Sequence, residues 1–486
     1  MSTKVQSSIP EPANTVSLSG KTSIDWHAFA KELEPVEVIT NPTLIKKRSR
    51  DFFWYSPILN EELKKCFGDL VALPKTKDEL KHCLELAYNH EVPIVLRGGG
   101  TGNYGQAVPV NGGLIIQTTA MNKVLEIGNG WVRVEAGMLI AELNEALKAT
   151  GQELAMFPST QEIATIGGFV AGGSMGIGSL ATGPLREPGN LISLKAFSVE
   201  KTSKEHTFED SDVLKIHHAW GLNGVISEVT LRTVLTEEWV GCFATFTGYE
   251  QAYAAAYELA ISEAISPKLL SVVDRRIVTY FPELKGHVRE GFDLIVGYLP
   301  KRDVEAFQKL VVQLGGHLDL SLSAAESEAS NFPHAFEFCY NHTTLQVLKS
   351  DRRATYQQVG VPNSSDAIAI GRLHEALGDD VWMHHEFARL GGKVISIDIP
   401  IIWYSGEGRL AEINQTYEAH GFTVYDAHVN QVEGGGLHNA NYSHLAWKKR
   451  LDPKGLLNSA KSAAWDKVKD LTPEEIEAKA VEDTSP

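Results

Sequence analysis

Glycine is concentrated at two places in this 486-residue chain, and acid–base side chains gather at three others. Arg97-Gly98-Gly99-Gly100-Thr101-Gly102-Asn103 opens a stretch that runs to Gly113 and follows the apolar run Pro93–Leu96. Without Cβ atoms such a backbone can turn sharply and aim successive N–H groups inward, a concavity suited to a pyrophosphate. Residues 100–105 satisfy G-x-G-x-x-G, but that pattern requires a helix to open directly after the glycines. Pro109 and Gly112-Gly113 forbid a helix here, so NAD binding of the Rossmann kind is excluded and a surface turn is the competing explanation. The second cluster, Gly167-Gly168-Phe169-Val170-Ala171-Gly172-Gly173-Ser174-Met175-Gly176-Ile177-Gly178, holds six glycines. That density implies close backbone approach to something.

Groups able to move a proton lie downstream. They are Tyr340 and His342, the run His384-His385-Glu386, and His428 with Asn430, Glu433 and His438. Such a group acts as a general base when it comes within hydrogen-bond reach of the hydroxyl that it deprotonates. Each alone could equally be a satisfied structural residue. His384 and His385, being adjacent, point to different sides of any regular element, and the spacing is not H-E-x-x-H. No metal is assigned.

With the flanks Phe157-Pro158-Ser159-Thr160 and Ala164-Thr165-Ile166, the two glycine clusters resemble the FAD-binding domain of the vanillyl-alcohol oxidase and p-cresol methylhydroxylase (PCMH-type) superfamily. Gly221-Leu222-Asn223-Gly224-Val225-Ile226-Ser227-Glu228-Val229-Thr230-Leu231 is similar to its G-x-x-G-I-I-T-E-x-x-L segment. Leu451-Asp452-Pro453-Lys454-Gly455-Leu456-Leu457-Asn458-Ser459-Ala460-Lys461 resembles its closing D-P-x-G-(I/L)-L-N-P-G-K motif, with Ser459-Ala460 in place of Pro-Gly. Asp51–Pro57 resembles the segment before the first strand. The resemblance implies an α+β fold: a PCMH-type FAD-binding domain of two α/β subdomains at residues 67–237 and an antiparallel-sheet cap, or substrate, domain at 238–425. An N-terminal arm (1–66), a return segment (426–465) and an acidic tail (466–486) complete the expected division. Cofactor contacts are expected at Arg97, Gly98, Gly99, Gly100, Thr101, Gly102, Asn103, Pro158, Ser159, Thr165, Gly167, Gly168, Gly172, Gly173, Ser174, Gly176, Gly224, Ile226, Asn458 and Lys461. Catalytic groups are expected among His428, His342, His385, Glu386 and Tyr340.

The implied activity is that of an FAD-linked oxidase or dehydrogenase. Flavin N5 accepts a hydride from the CH–OH carbon of a small alcohol or hydroxy acid, and a side chain takes the hydroxyl proton. The acceptor that reoxidises the flavin, oxygen or another, is left open. Thr101 and Ile163 stand where some members carry a His or Cys linked to the flavin, so the FAD is expected to be non-covalent, with a link from a cap His as the alternative. Tyr425-Asp426-Ala427-His428 resembles the Tyr-Arg-Thr-His stretch of the phenol-oxidising branch, which makes His428 the first choice of base. Asp426 at the Arg position would repel a phenolate. Oxidation of a para-substituted phenol therefore stands second, and a non-catalytic flavin-binding protein third. The hydroxy-acid branch's H-x-G-D-G-N-x-H and E-H-G-I-G motifs are not intact.

These residues need elements to hold them. Val71–Pro74 reads as a strand, Thr76 with Glu79 as a capping box, and Leu80, Cys83, Leu84 and Ala87 as the buried face of the helix that follows. Pro93–Leu96 is the next strand, so Arg97 and the glycines emerge at a strand's carboxyl end, where ligand loops of α/β units sit. Leu114–Gln117 and Trp131–Glu135 are expected to continue this sheet. Leu139, Leu143, Ala146 and Leu147 are expected to line a helix that ends before Gly151. From Val240 strands near 269–273 and 293–298 alternate with helices at 249–261 and 302–314, suggesting an antiparallel sheet covered by helices.

A net charge of -16 argues against nucleic acid or an anionic membrane as partner, since both need clustered Lys and Arg. Residues 1–20 are polar with no signal-peptide pattern, and no stretch of about 18 apolar residues occurs. A cytoplasmic protein acting on a small molecule is expected, with a homodimer left open. Cys66, Cys83, Cys242 and Cys339 are scattered and signal neither disulfides nor zinc.

Overall fold

The computed structural model describes residues 24–173, 175–435 and 440–482. Ser174, His438 and the polar segment 1–20 lie outside them.

The first sheet has the strand order Glu37–Ile39, Leu70–Leu73, Leu114–Gln117, Ile94–Arg97, of which the last three are parallel. The helix Lys77–His90 makes the crossover and buries Leu80, Cys83, Leu84 and Ala87. Thr76 Oγ1 caps the Glu79 N–H at 3.2 Å. The reciprocal bond differs from a capping box, because Glu79 accepts from the Lys75 N–H (2.8 Å) rather than from Thr76. The free edge of Ile94–Arg97 is closed from the far end of the chain: the Ile94 N–H donates to Leu456 O (2.9 Å) and the Asn458 N–H to Ile94 O (2.8 Å).

Trp131–Glu135 does not continue this sheet. It forms a hairpin with Val124–Ile127 and joins a second, antiparallel sheet through Val225–Leu235, Leu191–Phe197 and Glu205–Glu209. The reason is local: the two strands turn back through Gly128-Asn129-Gly130, with Gly130 at φ +85°, and a hairpin pairs at once where a parallel strand needs a long crossover. The helix Ile140–Lys148 buries Ile140, Leu143 and Leu147 but leaves Ala146 exposed. The second glycine cluster contains a short helix, Ile166–Gly172, capped by Thr165 Oγ1 accepting the Gly168 N–H at 3.2 Å.

The third sheet is eight-stranded and antiparallel, ordered His317–Ser323, Trp239–Phe246, Asp293–Pro300, Leu269–Val273, His384–Leu390, Lys393–Asp398, Gln358–Gly360, Thr423–Tyr425. Helices Tyr249–Ile261, Val304–Gln313 and Ala367–Leu377 cover one face, with Ala252, Ala255 and Ala256 buried where Tyr249–Ile261 packs close. From the other face Phe243, Val273 and Val296 share a core with Val132, Val134 and Ile166. One apolar core thus welds this sheet to the glycine-bearing unit.

The acidic end is not a free tail. The helix Pro473–Glu482 packs on Tyr442–Leu451 through the buried Ile476, with Glu477 2.7 Å and Glu474 3.1 Å from Arg450. No helix among the described residues is long and apolar enough to cross a membrane.

Candidate functional site

Both glycine clusters face one cavity. It is lined by Arg97 through Asn103, by Pro158, Ser159, Thr165, Gly167, Gly168, Gly172, Gly173 and Gly176, and by Gly224 and Ile226 at the start of strand Val225–Leu235. Glycine is required where the loops meet: a Cβ on Gly98 would overlap Thr165 Oγ1, and one on Gly99 would overlap the Ile163 carbonyl. Gly100, at φ +71°, turns the first loop over the Arg97 guanidinium. At Gly172, on the cavity wall, a Cβ would meet nothing within 4 Å.

The lining suits a ligand rich in acceptors. Arg97 Nε, Trp220 Nε1 and Asn341 Nδ2 are buried donors without an acceptor among the described residues, and such groups are normally satisfied. With the glycine backbones they fit the pyrophosphate, ribityl and ring oxygens of FAD. Sequence reasoning missed the aromatic part of the wall, Tyr104, Phe169 and Trp220, of which Tyr104 and Trp220 have ring centroids 5.3 Å apart. The signal was there: Tyr104 lies inside the first loop, and Trp220 directly precedes Gly221.

Two expected cofactor residues do not line the cavity. Asn458, at φ +45°, donates from Nδ2 to Gln106 O (3.1 Å) and to Trp220 O, so it ties two wall segments together from behind. Lys461 is fully buried, and its Nζ has no hydrogen-bond partner among the described residues. Burial holds that ammonium down to about 8, against the pull of Asp51.

Of the expected catalytic groups, only Tyr340 lines the cavity. Its hydroxyl donates to Gly176 O (2.8 Å) in the second glycine cluster, and burial raises its pKa well above the ordinary phenol value. Its backbone has φ +51°, unusual for a bulky residue. The conformation is held by Glu386, whose Oε1 accepts the Tyr340 N–H (2.6 Å) and Ser271 Oγ–H (3.1 Å) and lies 2.8 Å from His384 Nε2. Glu386 therefore stands behind Tyr340 rather than in the cavity.

His385 is turned away from it. Successive strand residues face opposite sides, so His384 and Glu386 point one way while His385 packs under the helices, with Nδ1 2.7 Å from Tyr249 Oη and its ring against Tyr253. His342 also lies outside the lining, 2.9 Å from Glu337. So does His428: its Nδ1 is 2.7 Å from Ser56 Oγ, its backbone N–H donates to Asp426 Oδ1 (2.9 Å), and its Nε2 is buried without a hydrogen-bond partner among the described residues. Burial lowers its pKa against the opposing pull of Asp426. Glu433 is committed elsewhere, accepting from the Ser462 hydroxyl and the Ala463 N–H. Among the described residues no three His, Cys, Asp or Glu side chains converge as metal ligands.

Comparison with known proteins agrees with this geometry. The family profile described as "FAD binding domain" matches residues 68–198. Glycolate oxidase subunit GlcD of Escherichia coli K12 is 26% identical over 434 residues, covering 81% of this chain and 83% of that protein. GlcD of Bacillus subtilis is 35% identical over 121 residues, 24% of this chain and 26% of that protein. D-2-hydroxyglutarate dehydrogenase of E. coli is 38% identical over 121 residues, 24% of this chain and only 12% of the relative. These last two matches thus span about a quarter and about an eighth of the relatives' length. The fold is shared with alkyldihydroxyacetonephosphate synthase (TM-score 0.67, 17% identity, 90% of this chain and 85% of the other). It is shared too with Physcomitrella patens BBE-like 1 (TM-score 0.61, 12% identity, 89% and 97%). A matched FAD binding domain over residues 68–198, two glycine clusters on one cavity and an antiparallel sheet packed against them support an FAD-linked flavoprotein similar to the PCMH-type, vanillyl-alcohol oxidase superfamily.

Proposed function

We propose that this chain is an FAD-dependent oxidoreductase that oxidises the CH–OH carbon of a small hydroxy acid. The observation that carries the proposal is the single cavity shared by both glycine clusters and by Tyr340, Asn341 and Gln358 of the third-sheet region. A module that only stored flavin would have no need of that polar wall. The hydroxy-acid class is supported by relatives named for glycolate, D-2-hydroxyglutarate and, at 28% identity over 174 residues, D-lactate. We take residues 67–237 with 426–465 as the cofactor unit and 238–425 as the cap.

FAD, when bound, supplies the two-electron acceptor. Arg97–Asn103 and Gly167–Gly176 would hold it, without a covalent bond, since Thr101 and Ile163 offer no linking side chain. Tyr340 steadies the wall: its phenol stays protonated, and its one O–H is given to Gly176 O in the second glycine cluster. Proton uptake is assigned to His428, which burial keeps neutral and whose Nε2 has no hydrogen-bond partner among the described residues; because His428 stands outside the cavity lining, the proton must reach it through an intervening group. That role requires the tautomer in which Nδ1–H donates to Ser56 Oγ.

The purified protein should be yellow, and acid precipitation should release the colour; a colourless protein that FAD cannot reconstitute refutes the reading. Glycolate, lactate and 2-hydroxyglutarate should bleach the flavin anaerobically. His428→Ala should retain FAD and slow that bleaching about a hundredfold. An unchanged rate there, with a large loss in Tyr340→Phe, would move the assignment to the cap.

A further inference from the structure

The first glycine loop must leave its inward N–H groups free for a ligand, so it has to be fixed from its other side. The arm does this. Asp51 is 4% exposed, and its carboxylate accepts the Ala107 N–H at 3.1 Å and the Phe53 N–H at 3.0 Å. Beside it the Phe52 N–H donates to Gly102 O (2.7 Å), and Arg97 Nη1 donates to Arg50 O (2.5 Å). Three consecutive arm residues thus clasp the loop at its start, middle and end. The same short segment reaches the rest of the site, since Tyr55 O accepts from Thr355 Oγ1 (2.8 Å) and Ser56 Oγ meets His428.

The charges point the same way. Asp51 is the carboxylate that acts on both Arg97 and the unpartnered Lys461. Without it the buried Arg97 would lose the carboxylate that acts on it and the buried Lys461 would keep only the weaker pull of Cys66 and Glu62, a costly arrangement. Glycine loses more backbone freedom on ordering than any other residue, so a loop ordered in advance binds its ligand at lower entropic cost.

We propose that Asp51, outside the matched FAD binding domain, is a positioning residue that pre-orders Gly102–Ala107 to receive FAD. The proposal rests on the FAD reading above. The experiment compares full-length wild type, Asp51→Asn and the double variant Asp51→Asn/Lys461→Met as apoproteins, measuring apoprotein Tm and the Kd for FAD by flavin fluorescence. The single variant should bind FAD about 10- to 100-fold more weakly, the scale of a lost hydrogen bond to a charged group. The double variant removes the stranded ammonium, so its Tm should recover while its Kd stays raised; a purely structural role would restore both. Amide exchange in the wild-type apoprotein needs no variant: the peptide containing Ala107 should exchange slowly. A Kd within about threefold of wild type in either folded variant, or rapid exchange at Ala107, overturns the proposal. Failure of wild type to bind FAD would instead sink the cofactor reading itself.

Discussion

The two glycine clusters look alike in sequence and use their glycines differently. In the first, Gly98 and Gly99 bring one loop against another, and Gly100 adopts a left-handed turn over Arg97. In the second, Gly167 and Gly168 lie within a short helix, where a Cβ on Gly167 would stand 2.7 Å from Ala136 Cβ, so that glycine lets the helix lie on a neighbouring segment. Gly172 has neither duty, facing open space on the cavity wall. Glycine enrichment therefore marks the site, but most of these glycines serve contact within the protein and fewer serve contact with a ligand.

Substitutions can break that contrast. The largest effect is expected for Gly99→Val, whose side chain collides with backbone. Overpacking of this kind costs about 1–3 kcal/mol or more, and both apoprotein stability and FAD content should fall. A variant with normal Tm and normal flavin would show that the loops do not touch. Gly172→Leu should separate the two properties: leucine favours a helix over glycine by roughly 0.8 kcal/mol, so the apoprotein should hold or gain stability while FAD binding drops at least about tenfold, as a leucine side chain fills ligand space. Full flavin stoichiometry in that variant would remove Gly172 from the site. The smallest effect is expected for Tyr340→Phe, which removes one hydrogen bond to Gly176 O, net about 1 kcal/mol. FAD affinity should weaken about fivefold; no change in affinity would mean that the bond does not steady the second cluster.

Much of this was legible in the residues. The glycine clusters stood out because close backbone approach leaves a compositional mark, and Thr165 and the Gly221–Leu231 segment were tied to them by the resemblance to FAD-binding motifs. The parallel unit was readable from apolar runs and the helix between them. What could not be read was direction. His385 and Glu386 are neighbours in sequence, but strand pleating and the side on which the helices pack decide which one approaches the cavity. Asn458 and Lys461 belong to a cofactor-associated motif but brace the wall from behind, which only the return of the chain to strand Ile94–Arg97 reveals. Gly100 and Gly173 line the cavity but are also constrained from within the protein. Their Cβ atoms would meet Arg97 and, at 3.2 Å, the Phe169 ring, so substitution there would act through the turn and local packing as well as by occupying ligand space.

The edge pairing of Leu456 and Asn458 with Ile94 has a consequence for biosynthesis. More than three hundred residues separate the partners, and contacts so distant form late because loop closure must come first. A nascent chain still on the ribosome, with Arg97 and both glycine clusters already made, lacks the strip that completes their sheet. Flavin capture is therefore expected to wait until the Leu456–Asn458 strip has emerged, so a chain stalled before Leu456 should remain colourless when FAD is supplied, and early acquisition of flavin would show that the edge is dispensable.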